Sequence, residues 1–301
     1  MGYSSFSNKT KNRICRILGI IPDKLFLKML YRIKTGRKLH LKNPKTYSEK
    51  LNWLKIYDRN PLYTRLVDKY EVREYVKERI GEDYLFPLLG VWDKFDEIDF
   101  KALPERFVLK CTHDFGSVII VNDKAQFDIE KARRAINGEL KYNFFYRGRE
   151  WAYKNVRPRI IAEKNMQEGE TRLTDYKFFC FGGEVKYVFV AQGRGTDLRF
   201  DFFDKEYNHL PITNGVPNAD IIPRKPSCYD EMISVAEKLS AGINNVRVDL
   251  YDIGGRVYFS EMTFYHNGGM VAFEPYETDV ELGQFFLMEA QESKAPSVSL
   301  A

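Results

Sequence analysis

The chain has 301 residues, of which 44% are hydrophobic and 15% aromatic, enough for a packed core in one large domain or two moderate ones. No stretch approaches about eighteen uninterrupted apolar residues, so the sequence excludes a membrane-spanning helix. The net charge of +5 is uneven: residues 1–50 carry +11, from thirteen Lys or Arg against Asp23 and Glu49, and the remaining 251 residues carry −6.

This basic segment indicates an anionic partner: a lipid surface, a polyanionic glycan or a nucleic acid. A solvated basic face on a helical arm is the alternative. No zinc finger, RNA-recognition sequence or basic zipper accompanies the charge, so we expect no nucleic-acid partner. The N-terminal apolar segment lacks a small-residue cleavage site, so we expect no signal peptide. The four cysteines are scattered, so we expect them to be buried free thiols and the protein to be cytoplasmic.

The first third of the chain has helical spacing. Apolar residues recur at helical intervals over 8–38, and Thr46-Tyr-Ser-Glu49 fits a capping box that opens a second helix through Tyr57. Asn60-Pro61 interrupts that helix, and we expect a third helix over 63–79 that Gly81 ends.

Short β-rich runs dominate the rest of the chain. Residues 128–150, 228–244 and 279–291 are predicted to be helical, and the tail from 293 is polar and expected to fray. The sequence therefore predicts an α+β fold rich in antiparallel hairpins. The predicted strands are 88–92, 107–111, 118–121, 159–163, 176–181, 185–191 and 199–203, followed by a hairpin over 246–263.

The hairpin carries the most informative charges. Its two β-rich runs are joined by Asp252-Ile-Gly-Gly255, and an odd loop with Asp252 opposite Arg256 would place Arg247 opposite Glu261. Side chains alternate along a strand, so Arg247, Asp249, Glu261 and Thr263 would then share one face, with Asp249 diagonal to Glu261. An even loop would put the two carboxylates on opposite faces.

Two carboxylates and a cation on one face fit phosphoryl chemistry. Mg²⁺ prefers oxygen ligands and keeps water and substrate phosphates as the others, and a neighbouring cation can neutralise developing negative charge. The alternative is an ion-pair ladder on an exposed sheet. A second phosphate-binding candidate is Lys110, which ends an apolar strand before the loop 112–117; this loop is not a Walker sequence, and it could equally be an ordinary hairpin.

Several segments, in this order, resemble ATP-grasp ligases. The sequences of these segments are most similar to the TupA-like branch, which is named for teichuronopeptide synthesis and found among bacterial surface-polysaccharide genes. The resemblance covers about residues 40–285. The segments are Asn43-Pro-Lys-Thr-Tyr-Ser-Glu-Lys-Leu-Asn-Trp, Leu66-Val-Asp-Lys-Tyr, Lys110 before its loop, Ile160-Ile-Ala-Glu-Lys-Asn-Met, Asp175-Tyr-Lys-Phe, Arg247-Val-Asp and Ser260-Glu-Met-Thr-Phe-Tyr.

The resemblance implies a nucleotide site. Two lysines would hold phosphates, the loop 112–117 would be a flexible lid, and a hinge would meet adenine through a glutamate side chain and backbone groups, with a further glutamate at the ribose. The residues so implied are Lys69, Lys110, His113, Gly116, Ser117, Glu163, Lys164, Met166 and Glu170.

The resemblance also implies a metal and catalytic group. Asp249 and Glu261 would hold Mg²⁺, Arg247 would meet the developing charge, and Lys177 would reach the γ-phosphate or the substrate carboxylate; a salt bridge from Lys177 to Asp175 is the alternative. Thr263 stands where many ATP-grasp ligases have asparagine, so a second ion would be held through water or by Asn267. The helical, basic residues 1–65 also depart from the α/β substrate domain of many relatives.

These observations predict an ATP-grasp fold, two α+β subdomains sandwiching ATP, over residues 66–292, preceded by a basic helical arm at 1–65 and followed by a disordered tail at 293–301. The expected activity is an ATP- and Mg²⁺-dependent carboxylate–amine, or carboxylate–nucleophile, ligase that adds an amino acid to a carboxylate-bearing surface glycan or its precursor. The basic arm would suit a polyanionic glycan or the inner membrane face. A glycosyltransferase and a non-catalytic ATP-binding protein are the rivals; no Asp-x-Asp metal motif supports the first.

Overall fold

A computed structural model describes residues 19–167, 173–193 and 195–288. The N-terminal part is helical, and Thr46 and Glu49 form the predicted capping box at the start of the second helix. The helices are α1 (Asp23–Thr35), α2 (Tyr47–Tyr57), α3 (Pro61–Val67), α4 (Val72–Ile80), α5 (Ile129–Leu140), α6 (Phe145–Gly148), α7 (Tyr229–Ser240) and α8 (Tyr276–Phe285).

Two of the predicted helices are shorter than expected. The single helix predicted over 63–79 is wrong, because the chain breaks between α3 and α4, where the Asp68 carboxylate accepts hydrogen bonds from the backbone N–H groups of Tyr70 and Glu71. The helix predicted over 128–150 ends at Leu140, and only the short α6 follows it.

The strands form two antiparallel sheets. The first has the order β1-β4-β2-β3 and the second the order β10-β9-β5-β6-β7-β8. The strands are β1 (Leu88–Trp92), β2 (Phe107–Cys111), β3 (Val118–Val121), β4 (Ile160–Lys164), β5 (Asp175–Phe181), β6 (Glu184–Gln192), β7 (Arg199–Asp204), β8 (His209–Leu210), β9 (Asn245–Ile253) and β10 (Arg256–Thr263).

Each sheet has its own hydrophobic cluster. On β2 the residues Phe107, Leu109 and Cys111 are buried and pack with α5, and because side chains alternate, Lys110 points to the opposite face. The six-stranded sheet packs against α7, and its cluster also includes Tyr47, Leu51 and Leu54 of α2. The α2 helix therefore shares the core of the second sheet, while a domain boundary at residue 65 stays a prediction.

Among the described residues, none of the helices is both long and apolar enough to cross a membrane. Cys111, Cys180 and Cys228 are buried free thiols, which confirms the expected burial for these three residues. Cys15, the ribose-side Glu170 and the tail from residue 293 lie outside the described residues.

Candidate active site

The β9–β10 hairpin turns differently from the prediction. Its loop is even: Ile253 pairs with Arg256 across Gly254 and Gly255, and Phe259 pairs with Leu250. A β-bulge at Ser260 then adds one residue to β10, so that Glu261 lies directly opposite Asp249 and Thr263 opposite Arg247. The predicted odd loop is wrong, and so are the predicted pairing of Arg247 with Glu261 and the diagonal position of Asp249. The bulge nevertheless places Arg247, Asp249, Glu261 and Thr263 on one face, as expected, since cross-strand partners share a face of the sheet.

Asp249 is the centre of a buried charge cluster. Its side chain has 0% exposure, and the Arg247 guanidinium binds it through two contacts, Nε to Oδ1 at 2.7 Å and Nη2 to Oδ2 at 2.8 Å. Lys177, which lies opposite Asp249 on β5, also donates to Oδ2. Lys177 Nζ is also 3.8 Å from Asp175 Oδ2, so the salt bridge considered as the alternative for this lysine is present, and its contact with a phosphate or a substrate carboxylate stays a prediction.

The charges determine the protonation of this cluster. Burial alone would raise the pKa of Asp249, but the charges of Arg247 and Lys177 and their hydrogen bonds outweigh it and lower this pKa to about 2. Asp249 is therefore a carboxylate at neutral pH, and its negative charge, with that of Glu261, raises the pKa of Arg247 against the effect of burial.

Glu261 and Thr263 lie at the edge of this cluster. Glu261 Oε1 is 3.5 Å from Arg247 Nη2, and the glutamate side chain keeps 29% exposure, so it is the more accessible of the two carboxylates. Thr263 Oγ1 accepts from Arg247 Nη2 at 3.0 Å. Thr263, at the end of β10 and opposite Arg247, thus helps to hold the guanidinium.

His266 orients Arg247 from the segment after β10. Its Nδ1 lies 2.7 Å from Arg247 Nη1 and its Nε2 lies 2.9 Å from Asn214 Oδ1. Arginine can only donate, so Nδ1 accepts and Nε2 carries the proton. Burial, followed by the charge of Arg247, lowers the pKa of His266, which keeps the ring neutral. His266 has a structural role here.

A second charged group lies on the four-stranded sheet. Glu163 on β4 binds Lys110 Nζ at 2.6 Å through Oε2 and Arg73 Nη1 at 2.9 Å through Oε1. Lys69 lies between α3 and α4, where its Nζ donates to the Asp114 carbonyl and its backbone N–H donates to the Thr112 carbonyl at 3.1 Å. The helix break at Asp68 therefore positions Lys69 against the loop after β2.

One cavity joins residues of both sheets. It is lined by Lys69, Arg73, Lys110 and Glu163 on one side and by Phe259 and Ser260 of β10 on the other. Ser260 is the bulge residue and directly precedes Glu261. A larger cleft is lined by Arg73, Phe86 and Met166, among others, and it shares Arg73 and Phe86 with the first cavity. The predicted phosphate lysines, Glu163 and Met166 therefore line two adjoining surfaces.

The predicted lid residues take different positions. His113 is buried, with Nε2 3.0 Å from the Glu139 carbonyl and 3.2 Å from the Tyr142 carbonyl, so it connects the loop to the end of α5. Gly116 is exposed with φ 110°, a conformation that favours glycine, and Ser117 Oγ donates to Asp114 Oδ2. Lys164 is exposed, and its backbone N–H donates to the Pro87 carbonyl at 2.9 Å.

The carboxylates of Asp249 and Glu261 are suitable Mg²⁺ ligands, but they are too few to hold the ion alone. Two facing carboxylates suit an ion that takes one or two carboxylates and completes its shell with water and phosphates. Residues 19–167, 173–193 and 195–288 contain no cluster of three or more His, Cys, Asp or Glu suited to a metal, so Asp249 and Glu261 would share the ion with a ligand. Both Asp249 oxygens already contact cations, so these must yield when an ion binds.

Sequence reasoning missed several residues of the site. Arg73 lies four positions after Lys69 on α4, and a charged residue on a helix gives no signal of a binding role. Asn214, which accepts from His266, lies in an irregular segment that carried no signal. Arg159 was missed too; it binds Asp68 at 2.8 Å and so supports the chain break beside Lys69.

Comparison with known proteins gives a family and remote fold likenesses. No curated protein sequence matches the chain. Among solved structures, D-alanine–D-alanine ligase from Bacillus anthracis, complexed with ATP, has 13% identity and a TM-score of 0.39 over 66% of this chain and 54% of the ligase, so the match spans about half of that protein.

The D-alanine–D-alanine ligase from Helicobacter pylori has 14% identity and a TM-score of 0.42 over 80% of this chain and 69% of the ligase. D-cycloserine synthetase DcsG has 16% identity and a TM-score of 0.39 over 75% of this chain and 70% of the synthetase. The model of the TupA-like ATPgrasp family matches residues 49–287, which confirms the predicted α+β ATP-grasp fold class. The chain therefore belongs to the TupA-like ATP-grasp family.

Proposed function

We propose that the protein is an ATP- and Mg²⁺-dependent ligase that joins a carboxylate to an amine, or to another nucleophile, through an acyl phosphate. The observation that carries this proposal is the cavity lined by Lys69, from the break between α3 and α4, by Lys110 of the four-stranded sheet and by Ser260 of β10, the residue before Glu261. This cavity has a volume of only about 10 Å³, but it shares Arg73 and Phe86 with the larger cleft of about 740 Å³, which has room for a nucleotide. Two facing carboxylates near these cations suit a metal ion that is bound together with phosphates.

The residues of the chain divide into binding and charge-stabilising groups. Lys69 and Lys110 hold the phosphates, and Glu163, with the backbone at Lys164 and Met166, meets the adenine. Arg73 and Lys110 are both paired with Glu163, so the cations are held in place before a ligand arrives. This preorganisation lowers the cost of ordering them on binding.

The proposed reaction has two steps. A substrate carboxylate oxygen attacks the γ-phosphorus, the bond from phosphorus to the β–γ bridging oxygen breaks, and ADP leaves. The amine nitrogen then attacks the acyl carbon, the C–O bond to phosphate breaks, and the amine proton leaves to solvent. Arg247 and Lys177 face the negative charge of both steps. Asp249 and Glu261 would hold Mg²⁺, which would supply further positive charge to the phosphoryl oxygens.

We also propose a substrate class and a place of action. The TupA-like family suggests that an amino acid is joined to a uronic-acid glycan or a related bacterial surface polymer or precursor. We place the protein in the cytoplasm. Residues 1–50, with +11 of charge, would meet an anionic partner.

The acyl phosphate gives this proposal a direct test. Hydroxylamine converts an acyl phosphate into a hydroxamate, so wild-type protein with ATP, Mg²⁺ and glucuronate, galacturonate or glutamate should form hydroxamate and ADP in equal amounts. Glu261→Gln and Lys110→Met should reduce hydroxamate formation by about a hundredfold. The matched controls Glu184→Gln and Lys101→Met change exposed residues outside the site and should retain it.

Other outcomes would support the rival functions. Sugar transfer from a UDP-sugar without any use of ATP would contradict the ligase and indicate a glycosyltransferase. Tight ATP binding without ADP release on any carboxylate would indicate a protein that binds ATP without catalysing a reaction.

A further inference from the structure

Helix α1 has two unlike faces. Phe26, Leu27 and Tyr31 are buried and form a cluster with Leu39, Leu41 and Met270. On the opposite face, Leu25, Met29 and Ile33 are 51%, 49% and 75% exposed. The spacing of four residues places these three in one continuous row along the helix, unlike the scattered single apolar residues of an ordinary surface.

A basic row lies beside the apolar one. Lys24, Lys28 and Arg32 precede Leu25, Met29 and Ile33 by one position each, and all three are exposed. From residue 19 to residue 45 the chain has eight Lys or Arg and one acidic residue, Asp23. Asp23 does not neutralise the row, because its Oδ1 lies 2.8 Å from Nε of the buried Arg149.

The same arginine holds the helix in place. The guanidinium carbon of Arg149 lies 4.2 Å from the ring centre of Phe26, and this arginine is 1% exposed. With the buried face of α1 fixed by Arg149 and by its hydrophobic cluster, the apolar and basic rows must face outward together. Within residues 19–167, 173–193 and 195–288, the exposed apolar row belongs to none of the hydrophobic clusters.

We propose that α1 docks the protein onto an anionic lipid bilayer, with Leu25, Met29 and Ile33 entering the interface and the flanking lysines and arginines contacting the headgroups. A bilayer surface offers both an apolar layer and negative charge, which matches the two adjacent rows. A soluble polyanion would explain the basic row alone. A symmetric pair of two α1 helices would bring like charges together, which is unfavourable.

This proposal goes beyond the proposed ligase function and does not rest on it. Co-sedimentation of the full chain with vesicles tests it without any nucleotide. We expect at least about tenfold tighter binding to vesicles containing phosphatidylglycerol than to phosphatidylcholine alone, because each lysine or arginine near an anionic surface contributes to binding. Added salt should weaken this binding through screening.

Two variants separate the apolar and basic contributions. L25S/M29S/I33S and K28E/K38E should each lose at least about tenfold of the affinity for anionic vesicles. The matched controls are I221S/I222S, which changes two other exposed isoleucines, and K101E/K141E, which changes two exposed lysines elsewhere; both should bind as wild type does. Circular dichroism and thermal unfolding check that each variant folds. If the serine variant does not fold, the charge variant K28E/K38E still tests the proposal.

Three results would overturn the proposal. Equal binding to neutral and anionic vesicles, or equal losses in variants and controls, would show that α1 is not the docking surface. Unchanged vesicle binding by L25S/M29S/I33S, with dextran sulfate competing fully, would indicate a soluble polyanion as the partner. A wild-type dimer that the serine variant converts to a monomer, seen by light scattering, would assign the face to a second copy of the chain.

Discussion

At the scale of single residues, Asp249 is the most constrained group of the site. Its carboxylate has no exposed surface and contacts two cations, Arg247 and Lys177. Removing one partner of a buried ion pair leaves uncompensated charge, which costs far more than removing a surface pair. Asp249 therefore stabilises the fold as well as serving as a proposed metal ligand.

We expect Asp249→Ala to lower the free energy of unfolding by about 3–5 kcal/mol, because it leaves Arg247 and Lys177 buried without their counter-charge. Glu261→Gln should change it by less than about 1 kcal/mol, since this side chain is 29% exposed and lies 3.5 Å from Arg247. Urea unfolding of both variants measures the difference. Equal losses in the two variants would contradict the buried role of Asp249.

The buried cysteines give a second prediction. Burial raises the pKa of Cys180 and that of Cys228 to about 12, so both remain protonated thiols at pH 8. Only the thiolate reacts with iodoacetamide, and therefore native protein should show no labelling at Cys111, Cys180 or Cys228, whereas urea-unfolded protein should be labelled at all three. Peptide mass spectrometry measures each site, and rapid native labelling of any of them would contradict the assigned burial.

The sequence could suggest the site residues of one strand pair but not their contacts. Arg247, Asp249 and Glu261 stand out because strands rarely carry such charges on one face. Arg73 and Asn214 carry no such signal, because a charged residue on a helix and an amide in a loop are ordinary there. Their roles depend on which distant residue they meet.

At the scale of elements, the β9–β10 hairpin shows where sequence reasoning stops. The Gly254-Gly255 turn and the two strands were predictable, whereas the bulge at Ser260 depends on how β10 packs. Without that extra residue, the even turn would place Glu261 opposite Val248, on the other face. The helix break at Asp68 was missed for a related reason: the pattern 63–79 is helical throughout, and the side chain of Asp68 overrides it.

The turn itself can be tested at Gly254, whose φ is 61°. Gly254→Val should destabilise the protein by about 1–2 kcal/mol, because a β-branched residue is strained at positive φ. Gly254→Asn at the same position should be nearly neutral, since asparagine tolerates this conformation and Asn-Gly is a favoured hairpin turn. Thermal unfolding compares the two variants, and equal destabilisation would contradict backbone strain as the cause, since a Cβ added at Gly254 meets nothing within 4 Å.

At the scale of the whole molecule, the proposed site combines residues of both sheets. The order of strands and the two separate clusters agree with the α+β class predicted from the sequence. The meeting of Lys110 with Ser260 could not be predicted from spacing, because these residues are far apart in the chain and belong to different sheets. The family match confirms the fold class alone, and it is the structure that places Lys110 and Ser260 at one cavity.

Calorimetric titration with ATP, with and without Mg²⁺, tests the central claim most directly. We predict that wild-type protein binds ATP more tightly with Mg²⁺, that Lys110→Met weakens binding at least about tenfold (~1.4 kcal/mol) in both conditions, and that Glu261→Gln removes only the Mg²⁺ enhancement. Lys101→Met and Glu184→Gln, at exposed positions, should behave as wild type. Indifference to ATP with tight binding of a UDP-sugar would contradict the account.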